Sequence, residues 1–154
     1  MRPVYLIILL LFLAIQANGQ GFSIIDGKAI KLYQEAEELI LSRQYEQAIE
    51  KYKLAIQREG TFLEAYQKAG QAYLTMGKLE EAEKIALLGK AKLTGKNATP
   101  RHVADYGWFF TNLYLTQGKL TEAYRQFKEV DPLFEENFRR TSYYLDMSLK
   151  IDFL

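Results

Sequence analysis

The chain has 154 residues, room for one domain with a continuous core, and carries 20 Lys and Arg against 19 Asp and Glu. Arg2 is the only charge in residues 1–19, so the remainder balances to zero, which argues against a nucleic-acid binder that must displace counterions. No cysteine is present, which excludes a disulfide framework, a thiolate metal site and a thiol nucleophile.

Residues 1–20 read MRPVYLIILLLFLAIQANGQ. Arg2 supplies a positive start, and residues 4–15 form an unbroken apolar run of twelve. A bilayer-spanning helix needs roughly 18 residues or more. The run instead has the length of a signal-peptide core. Ala17 and Gly19 place small residues at the positions a signal peptidase reads. Cleavage is expected after Gly19, with residues 20–28 as a lead-in. No cysteine follows the apolar run, so lipid attachment there is excluded. The expected location is outside the cytoplasm, in a bacterial periplasm or at an outer membrane.

The rest of the chain repeats. QYEQAIEKYKLAI (44–56), KLEEAEKIALLGK (78–90) and KLTEAYRQFKEVD (119–131) share an aromatic or Leu at the second place: Tyr45, Leu79, Leu120. Three residues on, each has Ala: Ala48, Ala82, Ala123. Ala48 and Ala82 are 34 residues apart, Ala82 and Ala123 are 41. Leu39, Tyr73 and Tyr114 repeat those intervals, as do Arg43, Gly77 and Gly118. A period of 34 with one seven-residue insertion accounts for all of them. TGKNATP (94–100), rich in residues that interrupt regular structure, is the expected home of the insertion. The units are expected at 29–62, 63–93 and 101–132, followed by a helix over 133–154 that caps or continues the stack. Its apolar ending, Ile151-Asp152-Phe153-Leu154, has no stop signal and suggests truncation or continuation in a longer protein.

Each unit is predicted to be a helix, a tight turn and an antiparallel helix. Ala36, Gly70 and Thr111 are small where the partner helix must approach, and Ala48, Ala82 and Ala123 answer them. Gly77 and Gly118 suit the left-handed residue that ends a helix. Arg43 stands at that place in the first unit, where a different or mildly strained turn is expected. In phase and composition, 29–132 resembles the tetratricopeptide repeat, most fully through LEAYQKAGQAYLTMGKLEEAEKIALLGKA (63–91). The resemblance implies an all-α helix-pair solenoid of about three repeats whose first helices line a concave, partner-binding face.

By position in the repeat, that face takes Tyr33, Glu37 and Ile40 from the first unit, Gln67, Gln71 and Leu74 from the second, and Trp108, Asn112 and Leu115 from the third. Amides bond a peptide backbone, and Trp or Tyr anchors a side chain at low entropic cost. Repeat proteins that clamp acidic chaperone C-termini use lysines and asparagines there. Tyr33, Gln67 and Trp108 occupy the places where lysines would be sought, so no carboxylate clamp is predicted. An export signal followed at once by such repeats also resembles the N-terminal part of Bacteroidota outer-membrane proteins of the outer-membrane-protein-A family, some similar to anchors of the type IX secretion machinery. That resemblance implies outer-membrane or secretion-machinery partners.

Chemistry is sparse. His102, the only histidine, stands at a helix start and is expected to be a surface or capping residue. There is no phosphate loop or dinucleotide fingerprint. No catalytic residue, metal or cofactor is assigned, and the expected function is a non-catalytic protein-interaction scaffold. Two alternatives stand beside it. One is a fragment of a cell-wall enzyme built on a helical solenoid, as in lytic transglycosylases. The other is electrostatic binding to membrane or cell wall through a basic rim of Lys84, Lys90, Lys92, Lys96 and Arg101, a stretch without an acid. The leader is tested by intact mass of the native protein from the envelope fraction. The expected N-terminus is Gln20, and a chain retaining Met1 would rule out cleavage.

Overall fold

The computed structural model describes residues 22–24, 26–134 and 151. The expected leader, and residues 135–150 and 152–154 of the expected final helix, lie outside them. Among the described residues all regular structure is helical: α1 Gly27–Leu41, α2 Tyr45–Arg58, α3 Leu63–Thr75, α4 Leu79–Lys90, α5 Pro100–Thr116 and α6 Leu120–Val130. Short 3₁₀ turns occupy Gly95–Asn97, in the connection before α5, and Asp131–Leu133, after α6.

Each first helix begins where its sequence supplies a cap or a substitute for one. The Asp26 carboxylate accepts the N–H groups of Lys28 (2.9 Å) and Ala29 (2.8 Å) at the start of α1. It also accepts Arg58 Nε at 2.8 Å, fastening the end of α2 to the start of α1. That Arg58 bond, with the helix N–H groups, holds the Asp26 carboxyl below its ordinary range. Thr99 caps α5 by accepting the N–H of His102 at 3.2 Å, with Pro100 in the first turn, where its missing N–H is no loss. The N-cap of α3 is Phe62, which has no side-chain acceptor; Ser23 from the lead-in supplies one, accepting the N–H of Leu63 at 3.0 Å.

The three tight turns are built alike. Gln44, Lys78 and Lys119 donate their N–H to Leu39 (2.9 Å), Tyr73 (2.9 Å) and Tyr114 (2.8 Å). Arg43, Gly77 and Gly118 donate to Ile40 (2.9 Å), Leu74 (3.0 Å) and Leu115 (3.1 Å). This is a Schellman ending, which needs a left-handed residue at the pivot. Gly77 and Gly118 have φ of 72° and 71°, and Arg43 adopts 57°. The first turn is therefore not remodelled around its arginine. The arginine takes the glycine conformation and carries the strain of its Cβ.

Within each pair the crossing residues are small and buried: Ala36, Ala48, Ala82, Thr111 and Ala123 are all 0% exposed. A Cβ on Gly70 would meet the Phe109 ring at 3.0 Å and the Ala82 carbonyl at 3.5 Å. Thr111 turns its buried hydroxyl to the Gly107 carbonyl at 2.9 Å, so no polar atom is stranded. Aromatics fill the space between pairs. Tyr33, Tyr52 and Phe62 pack with the alanines of α1 to α3, and Tyr66, Tyr106, Phe109 and Phe110 fill the layer of α3 to α5. Tyr106 passes over Gly89 and donates its hydroxyl to the Leu63 carbonyl at 2.8 Å. Ala123, Phe127 and Ile151 form a third cluster, on which Trp108, Leu115 and Phe134 pack.

A Cβ on Gly89 would lie 2.5 Å from Tyr66 Cβ and in the path of the Tyr106 hydroxyl, whereas one on Gly60 meets nothing within 4 Å. Gly89→Ala is expected to destabilise the fold by about 1–3 kcal/mol in chemical denaturation, with Gly60→Ala close to neutral. Arg43→Gly should shift the other way, stabilising by up to about 1 kcal/mol. Equal midpoints for both Ala variants would refute the close packing of α4 on α5.

Candidate functional site

The faces of α1, α3 and α5 not used in pair packing converge on one groove. Its deeper part is a cavity of about 300 Å³ lined by Tyr33 and Glu37 of α1, Glu64, Gln67 and Lys68 of α3, Arg101, His102 and Asp105 of α5, and Phe22 of the lead-in. A second cavity of about 550 Å³ shares Gln67, Arg101 and Asp105 and continues past Pro100, Ala104 and Trp108 to Leu133 and Phe134. The shared residues make the two one continuous surface, polar at one end and aromatic at the other.

Polar ties across the inner helices set its shape. Glu37 accepts the Tyr52 hydroxyl from beneath and Lys68 Nζ, at 2.9 Å, from the neighbouring pair. Gln67 Nε2 donates to the Asp105 carbonyl at 3.2 Å, linking α3 to α5. Glu64 accepts both the N–H (2.8 Å) and the hydroxyl (2.6 Å) of Ser23. His102 Nε2 lies 3.2 Å from the same carboxylate, and its Nδ1 faces Thr99 Oγ1 (2.9 Å) and the Asn97 carbonyl (3.1 Å). Arg101 Nε stands 3.8 Å from Asp105. Burial raises the Asp105 carboxyl above its usual range. Burial also pushes the phenols of Tyr33 and Tyr52 up, that of Tyr52 further through its bond to Glu37.

Of the residues assigned from the repeat register, Tyr33, Glu37 and Gln67 line the deep cavity, and Gln67 and Trp108 the wider one. Gln71 is exposed. Asn112 donates its amide to the Trp108 carbonyl at 2.8 Å. Leu74 and Ile40 are half-buried and pack on the core clusters, and Leu115 packs on the third. The basic stretch separates: Arg101 enters the groove, while Lys90 reaches Gln126 on α6 at 3.3 Å and covers the Phe110 ring at 5.1 Å. Lys84, Lys92 and Lys96 are exposed and line neither cavity.

Phe22, Ser23, Glu64, Lys68, His102 and Asp105 were not legible as groove residues. Glu64 lies three residues before Gln67, and Asp105 three before Trp108, so one more helical turn of register reaches both. Of the two expectations for His102, surface or capping, the surface one is corrected: it stands in the first turn of α5 bonded to the Thr99 cap, its side chain 12% exposed and in hydrogen-bond contact at both nitrogens. The contacts run from Ser23 to Glu64 to His102, so a carboxylate, not the imidazole, abuts the serine hydroxyl.

No protein-family model matches the sequence, and no curated protein matches it significantly. Solved structures do match. One is the first TPR of Spaghetti (RPAP3) bound to the HSP90 peptide SRMEEVD, with a TM-score of 0.63 and 20% identity, covering 86% of this chain and 99% of that one. Another is the second TPR domain of human RPAP3 in complex with the HSP70 peptide SGPTIEEVD, with a TM-score of 0.60 and 26% identity, covering 80% and 94%. The fold is thus an all-α, helix-pair solenoid of the tetratricopeptide kind.

Glu37 is the acceptor for the buried Tyr52 hydroxyl. Glu37→Ala is expected to lose about 1–3 kcal/mol of stability by stranding that hydroxyl. Adding Tyr52→Phe should recover most of the loss, and strict additivity in the double-mutant cycle would contradict the coupling.

Proposed function

We propose that this chain is a non-catalytic protein-interaction module that holds a peptide or extended segment of a partner along the groove of α1, α3 and α5. The observation that carries the proposal is the continuity of that surface. Amide, carboxylate and phenol groups at one end run without a break into Trp108, Phe134 and Leu133 at the other. Extended peptides are bound by backbone hydrogen bonds in register with pockets for anchoring side chains. The fold's likeness to two peptide-bound repeat domains supports the same mode.

The ligand differs from theirs. The peptides named for those domains are acidic. Here Glu37, Glu64 and Asp105 line the cavity, and Tyr33, Gln67 and Trp108 stand where clamping lysines would be needed. The cations of the cavity, Lys68 and Arg101, already face Glu37 and Asp105, so the groove offers an acidic tail no unmatched positive cluster. The dispersal of Lys84, Lys90, Lys92 and Lys96 away from the cavity linings favours the groove over electrostatic adhesion. The leader-like residues 1–19 and the resemblance to exported outer-membrane proteins support a working place in a bacterial envelope, periplasmic or outer-membrane-associated. Outer-membrane or secretion-machinery proteins are then the partner class.

A photo-cross-linking residue at exposed Gln71, on the inner face, is expected to give a discrete adduct in source cells. The same residue at exposed Leu87, on α4, should not. Trp108→Ala should reduce the Gln71 adduct at least about tenfold, in line with loss of an aromatic anchor, while leaving the helical circular dichroism intact. Equal adducts at both positions, or full capture by the Trp108 variant, would sink the groove assignment.

A further inference from the structure

One wall of the polar end of the groove is supplied by the chain's own lead-in. The Phe22 ring meets Tyr33 edge-on at 5.3 Å and Phe62 at 5.6 Å, with interplanar angles of 71° and 85°. These are the edge-to-face geometries that aromatic rings favour. The next residue satisfies a helix start. Ser23 accepts the Leu63 N–H at 3.0 Å, while Glu64 accepts the Ser23 N–H at 2.8 Å and its hydroxyl at 2.6 Å. The exchange is that of a capping box, except that the serine comes from 40 residues upstream of Leu63. The α3 N-cap residue, Phe62, has no side chain to do this. A ring and a hydroxyl on adjacent residues of the lead-in therefore occupy a seat made by Tyr33, Phe62, Leu63 and Glu64. Phe22, Tyr33 and Glu64 also line the 300 Å³ cavity, so the seat opens into the groove.

We propose that this seat is a subsite for an aromatic residue followed by Ser or Thr, held in cis by Phe22–Ser23, and that a partner peptide of that pattern enters the groove by displacing the pair. The inference rests on the groove being a peptide site and identifies the peptide class and its gate. The contacts of Phe22 and Ser23 are ones that an incoming peptide reproduces, an aromatic edge, one backbone N–H and one hydroxyl that reaches Glu64 and the Thr61 carbonyl, while Ile24 stays buried in the first core cluster and keeps the lead-in attached. The exchange leaves neither the Leu63 N–H nor the Glu64 carboxylate without a partner, so no buried polar group is stranded in the exchanged state. Phe22 and Ser23 are only half-buried, unlike Phe62 and Leu63 beneath them, which are 0% exposed. The pair can leave while the seat remains.

The test uses the full chain and a fluorescein-labelled peptide of residues 20–25, QGFSII, with QGASII as control. In fluorescence polarisation the Phe22→Ala/Ser23→Ala chain is expected to bind QGFSII at least about tenfold more tightly than the unaltered chain, where the seat is filled, and to ignore QGASII. Equal affinity of the two chains for QGFSII, or equal binding of both peptides, overturns the proposal. Should the double variant fail to fold, Ser23→Ala alone decides. It keeps the ring, loosens the strand, and should bind QGFSII about threefold or more tighter than the unaltered chain; no gain overturns the latch. The two readings separate cleanly. A Gln71 adduct with no peptide binding by either variant defeats the latch and leaves the groove. Peptide binding without a Gln71 adduct supports the seat and defeats the wider groove.

Discussion

Everything in this fold depends on how closely two helices of a pair can approach. Side chains of one carbon or none at Ala48, Gly70, Ala82 and Ala123, with Ala36 and Thr111 at equivalent places, let the backbones meet, and all those resolved as core are fully buried. Close approach leaves little room for bulk at the crossings, so large rings pack between the second and third pairs, Phe109 over Gly70 and Tyr106 over Gly89, while Val130 fits against Gly107 inside the third pair. The third pair stacks on the second by shape, its rings set over the glycines of α3 and α4. With the crossings and the stacking surfaces both used, one stripe of each first helix is left over. Those stripes make the groove.

The turns carry the second constraint. An antiparallel helix can follow only if the chain reverses within two or three residues, and the Schellman ending does so when one residue is left-handed. Glycine takes that conformation without strain at positions 77 and 118, and Arg43 takes it against its Cβ. The hydrogen bonds to Leu39 and Ile40 and the packing of Tyr33, Tyr52 and Ala55 outweigh that strain, which is of order 1 kcal/mol.

The groove is balanced within itself. Glu37 faces Lys68 and Tyr52, Glu64 faces His102 and Ser23, and Asp105 faces Arg101. These ties join α1 to α3 and α3 to α5, so the charges that line the groove also hold its walls in place. A site whose charges are already matched discriminates by ring placement and hydrogen-bond register more than by net charge.

The helix pairs, their turns and the residues at their crossings were readable from the sequence, because local geometry dictates them: a helix repeats every 3.6 residues and a close crossing admits only small side chains. The inner-face positions of Tyr33, Glu37, Gln67 and Trp108 came from the resemblance to the tetratricopeptide repeat, by place in the repeat, and these four line the cavities. Tertiary structure alone decided what no period encodes. Leu74 and Leu115 became half-buried against the second and third core clusters, Leu115 on Ala123 and Phe127 of α6. Lys90 and Arg101, eleven residues apart in sequence, parted because a helix end and a loop lie between them. His102 became a bonded wall of the groove, and Ser23 became the cap of a helix 40 residues away, since both needed Glu64, whose nearness is set by packing and not by sequence distance.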